Sequence, residues 1–467
     1  MKVCVIGGGA AGLTALRHLS SSAGITPTLY EQSEHVGGVW GYTDKTGEDE
    51  RTGDEIHTVM YRDLKTNLPK EIMGFLDFPF HKGKTSFVSH EQVNQYLHEY
   101  ADHFQLRSSI QFNHRVVHVT PHLAEYDSEN NPSPKWLVSV KDLQLGKEEI
   151  EEFDSVMVCN GHFCKPFIPD IVNIQVFQGE VLHSRDYRSP EIFANKRVVV
   201  LGCGPSGVDI SLEIAQVATE VIISFRNPPL ESSFPANVRQ AFSIKSGKSN
   251  GFIFEDNQEC DCDVLLLCTG YKYDFPFLDQ QCGVIVEKGK QVTPLYKHMI
   301  HTKYPTLCFV GIPFHVLPFY LFEVQVRYFV KYLEGNLRLP TESQMNTDLL
   351  EDRNLRQRMG LPLSQSHHLG PMQWEYYHFL AQHAGFPLEL KPVVRKIYEE
   401  AGDRRRLFAS FYKNDMVRIL DDENYIYDSS SVTLSSQLSL FRSGRELQDH
   451  QMTSKVYPGM TWPVKHM

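Results

Sequence analysis

The chain has 467 residues, is 41% hydrophobic and carries a formal net charge of −11. That length suffices for two or three domains with a large core, and the acidic balance excludes nucleic acid and anionic membrane as main partners. Nine cysteines, odd in number and scattered, show no paired framework and point to a reducing compartment, and the 21 histidines are equally scattered, so none is assigned to a metal.

The first forty residues organise the rest. Lys2–Ile6 reads as a buried strand. Gly7, Gly9 and Gly12 follow at G-x-G-x-x-G spacing, then a helix over Ala11–Ser20 and a strand over Thr28–Glu31. In this spacing Gly7 permits a tight turn, Gly9 lets backbone approach a pyrophosphate, and Gly12 lets helix touch strand. The helix N-terminus, with Gly8, Ala10 and Ala11, offers N–H groups to phosphate. Glu31 stands 19 residues after Gly12, where a carboxylate accepts from a ribose 2′-hydroxyl and repels a 2′-phosphate. With a strand starting at Lys2, no leader is expected in the chain as given.

Gly37, Gly38, Val39 and Trp40 form a glycine pair before an aromatic, suited to lying along a flat ligand. Thr66–Asn67–Leu68–Pro69 reads as a turn. Ser89 caps a predicted helix to Phe104. Phe112–His122 and Trp136–Leu143 alternate as strands of an insertion, and Ser155–Cys159 is a buried strand.

A second nucleotide pattern begins at Arg197, with Gly202, Gly204, Pro205, Ser206 and Gly207 before a helix. Its following strand, Val221–Phe225, ends Ser224–Phe225–Arg226 without an acid. Arg226 lies 19 residues after Gly207, the slot that Glu31 fills in the first pattern. A cation and a hydroxyl there suit a 2′-phosphate. The first site therefore reads as FAD or NAD and the second as NADP.

Further strands are expected at Val264–Cys268 and Leu307–Val310, the latter followed by Gly311. A helix covers Phe319–Leu333 and includes Gln325. Pro340–Gly402 is helix-rich, with Trp374, Tyr376, Tyr377 and Phe379 read as core. The longest uncharged run, Pro305–Phe322, is broken by Gly311, Pro313 and Pro318, so no membrane span is expected. The fold class is α/β: two Rossmann-like dinucleotide-binding domains, the smaller NADP domain inserted in the larger FAD domain. The expected bounds are 1–170 and 300–427 for the FAD domain with its helical C-terminal region, 171–299 for the NADP domain, and 428–467 for a polar tail assigned no role.

Between the two patterns, Phe177–Gln–Gly–Glu–Val–Leu–His183–Ser–Arg–Asp–Tyr187 matches F-x-G-x-x-x-H-x-x-x-Y. With both glycine patterns, Gly38-x-Trp40, Thr66–Asn67 and Cys268–Thr269–Gly270–Tyr271, the chain resembles flavin-containing monooxygenases over about residues 1–400. It is most similar to short insect members such as alkaloid N-oxygenases. The resemblance implies FAD at Gly7–Gly12, Glu31, Gly37, Gly38, Val39, Trp40 and Gly311, and counts Gln325 among the cofactor-binding residues. It implies NADPH at Gly202–Gly207, Ser224 and Arg226, and Thr66 and Asn67 beside flavin and nicotinamide. It also implies a reaction: NADPH- and O2-dependent oxygenation of soft nucleophiles through a flavin C4a-hydroperoxide, with Asn67 as the catalytic side chain. Substrates would be tertiary amines or alkaloids (N-oxidation) and thioethers (S-oxidation), as in xenobiotic metabolism. A cytoplasmic protein is expected, with peripheral attachment to the endoplasmic reticulum and a homodimer allowed.

Four alternatives stand beside this, among them an N-hydroxylase of amino-acid amines, whose first motif and substrate loops differ. A Baeyer–Villiger monooxygenase would carry Trp-Pro after the motif histidine, where this chain has Tyr187–Arg188. A non-catalytic nucleotide-binding protein would use the folds without turnover. Cys159 and Cys164 have the spacing of a redox disulfide, but they straddle a strand end and a loop, so the pairing reads as coincidence.

Overall fold

The computed structural model describes residues 1–50, 53, 55–123, 133–226 and 229–429. Strands of two to six residues, apolar at the centre, make two central sheets. In the first, Lys2–Ile6 lies between parallel neighbours Thr26–Glu31 and Ser155–Val158. Ile110–Phe112 closes one edge, and Leu307–Phe309, Ile300–His301 and Leu295–Tyr296 extend the other. In the second, the order is Val238–Ala241, Glu220–Ser224, Arg197–Leu201, Val264–Leu267 and Glu180–His183, all parallel. Val3, Val5, Val199 and Val200 are fully buried, as strands covered on both faces require.

Helix α1 (Ala10–Ser20) crosses from the first strand of the first sheet to the second, and α3 (Pro205–Ile214) does the same in the other sheet. Between them, α2 (His90–His103) begins at Ser89. Ser89 and Gln92 form a reciprocal capping box that satisfies two N–H groups of the first turn. Its apolar stripe, Val93, Leu97, Tyr100 and Ala101, is buried, as the helical spacing predicts. Helix α4 (Pro318–Leu333) packs on α1, where Glu323 accepts from Thr14 Oγ1 at 3.1 Å and pairs with His18 at 2.8 Å. The C-terminal region adds α5 (Glu342–Arg358), α6 (Gln373–His383) and α7 (Pro392–Leu407). Trp374, Tyr376 and Tyr377 are core, as read from sequence.

The insertion has a third strand that sequence reading passed over. Lys135–Asp142 lies between His114–His122 and Glu148–Phe153 and pairs antiparallel with both, and the run Glu148–Glu149–Ile150–Glu151–Glu152 carries no apolar alternation. Those five residues are exposed and only Phe153 is buried, so backbone pairing rather than burial makes this strand. Another three-stranded sheet, Ile244–Lys248, Gly251–Phe254 and Glu259–Asp261, was also unforeseen. Tyr273, Cys282, Val292 and Leu295 are buried among first-sheet residues Cys4 and Val156, although the sequence places them in the second domain. The expected polar tail begins at a strand: Tyr425–Asp428 pairs with Met416–Ile419. Residues 430–467 of that tail lie outside the described residues.

Candidate active site

The two glycine patterns build the same cradle twice. Gly7 has φ +104° and Gly202 has φ +117°, a region that side chains with a Cβ rarely adopt. A Cβ on Gly7 would stand 2.8 Å from the Cys159 carbonyl, and one on Gly202 2.5 Å from the Cys268 carbonyl. Gly12 and Gly207 seal the helices onto those turns: a Cβ there would meet the carbonyl oxygens of Gly7 and Gly202 at 1.8 and 1.9 Å. Both helix N-termini lack a side-chain cap and an acid in the first turn. An uncapped N-terminus keeps donors and partial positive charge for an anion. Both cradles therefore fit a dinucleotide pyrophosphate.

Their surroundings differ. Glu31 is buried at its strand end and accepts from Gly8 N at 2.6 Å and Ser33 N at 2.8 Å. Gly38 backs the first cradle closely, its Cα 3.5 Å from where a Gly9 Cβ would be, and Gly37 N donates to Gly8 O at 3.0 Å. Val39 and Trp40 continue this turn, with Thr58 Oγ1 donating to Val39 O at 3.0 Å. A Cβ on Gly204 would meet nothing within 4 Å. In the second unit Ser224 is fully buried and its hydroxyl donates to Phe242 O at 2.7 Å. The hydroxyl is thereby turned into the fold, away from the exposed Arg226 two residues on.

Gly311 N donates to Gln325 Oε1 at 2.9 Å, Gln325 Nε2 to Tyr376 Oη at 2.8 Å, and Tyr376 Oη to Lys297 O at 2.8 Å. Gln325 is fully buried, so it supports the Gly311 turn from behind. Nearby, His367 Nε2 accepts from Val292 N at 2.9 Å, which leaves its proton on Nδ1, 3.1 Å from His298 Nδ1. Burial holds both rings well below the usual histidine range, and it brings His162 down to about 4.

Thr66 is buried and fixes the Asn67 turn: its N–H donates to Val88 O at 2.9 Å and its hydroxyl to Leu68 O at 2.8 Å. Asn67 itself is exposed. The segment before it is pinned to the second unit. Tyr61 is buried in the second unit's core and its hydroxyl donates to Asp209 on α3. Arg62 N donates to Arg188 O at 2.9 Å.

The Phe177–Tyr187 segment works as a link. Glu180–His183 is the edge strand of the second sheet. His183 Nε2 donates to Gly270 O at 3.2 Å and its Nδ1 accepts from Arg185 N at 3.1 Å, so both ring nitrogens are structurally engaged. Tyr187 Oη donates to Glu213 Oε2 on α3 at 2.7 Å. Burial, with Asp209 and Asp63 nearby, pushes the Glu213 carboxyl up to about 7.

Arg188 was not singled out from sequence. It is buried and donates to the carbonyls of Thr43 (2.9 Å), Lys45 (3.2 Å), Thr58 (3.3 Å) and Arg185 (2.7 Å), tying the motif to the loop after Trp40. A charged residue one step past the motif was the one available signal. All nine cysteines are free, Cys159 and Cys164 included. Among the described residues no helix is long and apolar enough to cross a membrane.

Comparisons with known proteins agree with this geometry. The flavin-binding monooxygenase-like family model matches residues 1–230 and 234–397. The flavin-containing monooxygenase FMO GS-OX4 of Arabidopsis thaliana is 35% identical, with 88% of this chain and 91% of the relative covered. The structure of S-allyl-L-cysteine S-oxygenase from Allium sativum superposes with a TM-score of 0.80 at 34% identity, covering 88% of this chain and 94% of that one. Tmm from Pelagibacter sp. superposes at 0.77 with 28% identity, covering 89% and 94%. Cyclohexanone monooxygenase, at 15% identity and a TM-score of 0.58, shares the fold. With two dinucleotide cradles, the Phe177–Tyr187 link and a family match over most of its length, the chain belongs to the flavin-binding monooxygenase-like family and is an NADPH-dependent monooxygenase that binds FAD.

Proposed function

We propose that this enzyme oxygenates soft nucleophiles, thioethers and tertiary amines, at a site beside Asn67. Bound FAD, reduced by NADPH, supplies an activated oxygen atom from O2; the protein contributes position and exclusion of water. In this reading Gly7, Gly8, Gly9, Ala10, Ala11, Gly12 and Glu31 hold FAD, with Gly38, Val39, Trp40 and Gly311 along it. Gly202, Gly204, Pro205, Ser206, Gly207 and Arg226 hold NADPH. The second unit is taken to end near residue 270, since Tyr273, Cys282, Val292 and Leu295 are buried with first-sheet residues.

The carrying observation is the Asn67 turn: its side chain is exposed while its backbone is anchored to the first unit through Val88 and to the second through Tyr61. A turn so fixed presents the Asn67 amide as a hydrogen-bond donor at the place where, in this reading, the two cofactors meet. Thioether oxidation is supported by the likeness to an S-allyl-L-cysteine S-oxygenase. The test is Asn67→Ala with a thioether, a tertiary amine and a ketone. Product formed per NADPH should fall roughly tenfold to a hundredfold, with hydrogen peroxide released in its place. Unchanged product and peroxide would remove Asn67 from the chemistry, and turnover of the ketone alone would favour the Baeyer–Villiger reading.

A further inference from the structure

The C-terminal segment does more than finish the fold. A single helical turn, Tyr412–Asn414, follows α7 and lies against the Asn67 turn. Tyr412 is buried, its ring set edge-on to Phe87 with centroids 5.2 Å apart, and its hydroxyl donates to Asn67 Oδ1 at 3.3 Å. The next residue fixes both sides: Lys413 Nζ donates to Lys65 O at 2.9 Å and pairs with Asp209 on α3 at 2.8 Å. Upstream, Ala409 N donates to Ser232 Oγ at 2.9 Å, and downstream Val417 N donates to Ser86 Oγ at 2.7 Å. The turn is thus held by both nucleotide units and lies beyond residue 397, where the family match ends.

We propose that Tyr412 is a positioning residue for Asn67: by donating to the amide oxygen, it fixes the side-chain rotamer and directs the Asn67 NH2 into the open site. This rests on the reading of Asn67 given above. An asparagine offers one acceptor and two donors. Engaging the oxygen from behind settles which end faces the cofactors. Burial raises the Tyr412 hydroxyl above the usual tyrosine range, so it remains a donor across the working pH range. An exposed asparagine without this bond would sample several rotamers, and the donor would be in place only part of the time.

The test uses the FAD-loaded enzyme as wild type, Tyr412→Phe, Asn67→Ala and the double variant. Phenylalanine keeps the ring packed on Phe87, and melting temperature verifies the fold. Two quantities are read: product per NADPH with a thioether, and hydrogen–deuterium exchange of the peptide spanning residues 62–70 in protein without NADPH. Tyr412→Phe should lower product per NADPH by about two- to tenfold, leave the KM for NADPH within about twofold of wild type, and speed exchange of that peptide. In the Asn67→Ala background it should lower product no further. A Tyr412→Phe enzyme equal to wild type beside a damaged Asn67→Ala enzyme overturns the positioning role alone. An equal further loss in the Asn67→Ala background overturns it as well, since Tyr412 would then act on its own. If Asn67→Ala matches wild type, the reading of Asn67 falls and this role falls with it.

Discussion

The two cradles share a seal and differ in what stands behind it. In both, one glycine turns with positive φ under a strand-end carbonyl, and another lets the helix touch that turn. Behind the first lie Gly38 in close contact and Glu31, buried and held by two N–H groups. Around the second, Gly204 faces open space and Arg226 is exposed. A cradle backed on several sides suits a cofactor that stays; an open one with a surface cation suits a cofactor that comes and goes. Under the proposed assignment of FAD to the first cradle and NADPH to the second, the same local fold would serve two kinetic roles, the difference lying in the residues that pack around it.

The strongest way to break this comparison is to fill the glycines. Gly12→Ala places a Cβ 1.8 Å from a carbonyl and Gly207→Ala one 1.9 Å from the equivalent carbonyl. Each should cost about 3 kcal/mol or more, visible as a large fall in melting temperature. The first should be recovered with little FAD. By contrast, Gly204 is extended (φ −69°, ψ −179°) and a Cβ there would meet nothing within 4 Å, so Gly204→Ala should change stability by less than about 0.5 kcal/mol. Its effect should appear in the KM for NADPH. Equal destabilisation at Gly204 and Gly207 would mean that the open cradle is misdescribed.

The smallest effect concerns the link between the units. The Glu213 carboxyl is raised to about 7 in the fold, above its unfolded value, because burial and two neighbouring acids disfavour its charge. The folded state thus holds this proton more tightly. Its stabilising contribution is complete below the unfolded pKa and is lost as pH rises through about 7. Glu213→Gln cannot ionise, so its melting temperature relative to wild type should climb between pH 5 and pH 8. A pH-independent difference would place the effect on another group.

What sequence reading captured, and what it missed, divides by range. The strand–glycine–helix–strand units are legible because each is one local unit of roughly thirty residues, and the seal of Gly12 on Gly7 is dictated by backbone alone. The positions of Glu31 and Arg226, each 19 residues after the last glycine of its pattern, are legible for the same reason. Ser224 reads as a phosphate ligand because a hydroxyl at a strand end is in the right place, but its strand is buried on both faces and the hydroxyl donates to Phe242 O, just past the neighbouring strand. Arg188 and Tyr412 were missed because their partners are distant: Tyr412 and Asn67 are 345 residues apart. The Glu148–Phe153 strand was missed because its side chains face water and leave no apolar period. Periodicity reports burial, and an exposed strand has little of it.

The division of labour between Glu31 and Arg226 is the central claim. It is tested by one measurement: the dissociation constants of FAD and NADP+ in Glu31→Gln and Arg226→Gln, compared with wild type by flavin fluorescence and equilibrium dialysis. Glu31→Gln should weaken FAD roughly tenfold and leave NADP+ within about twofold. Arg226→Gln should weaken NADP+ by about ten- to a hundredfold and leave FAD unchanged. If either substitution weakens both cofactors alike, or Arg226→Gln leaves NADP+ untouched, the assignment of one cofactor to each cradle is contradicted.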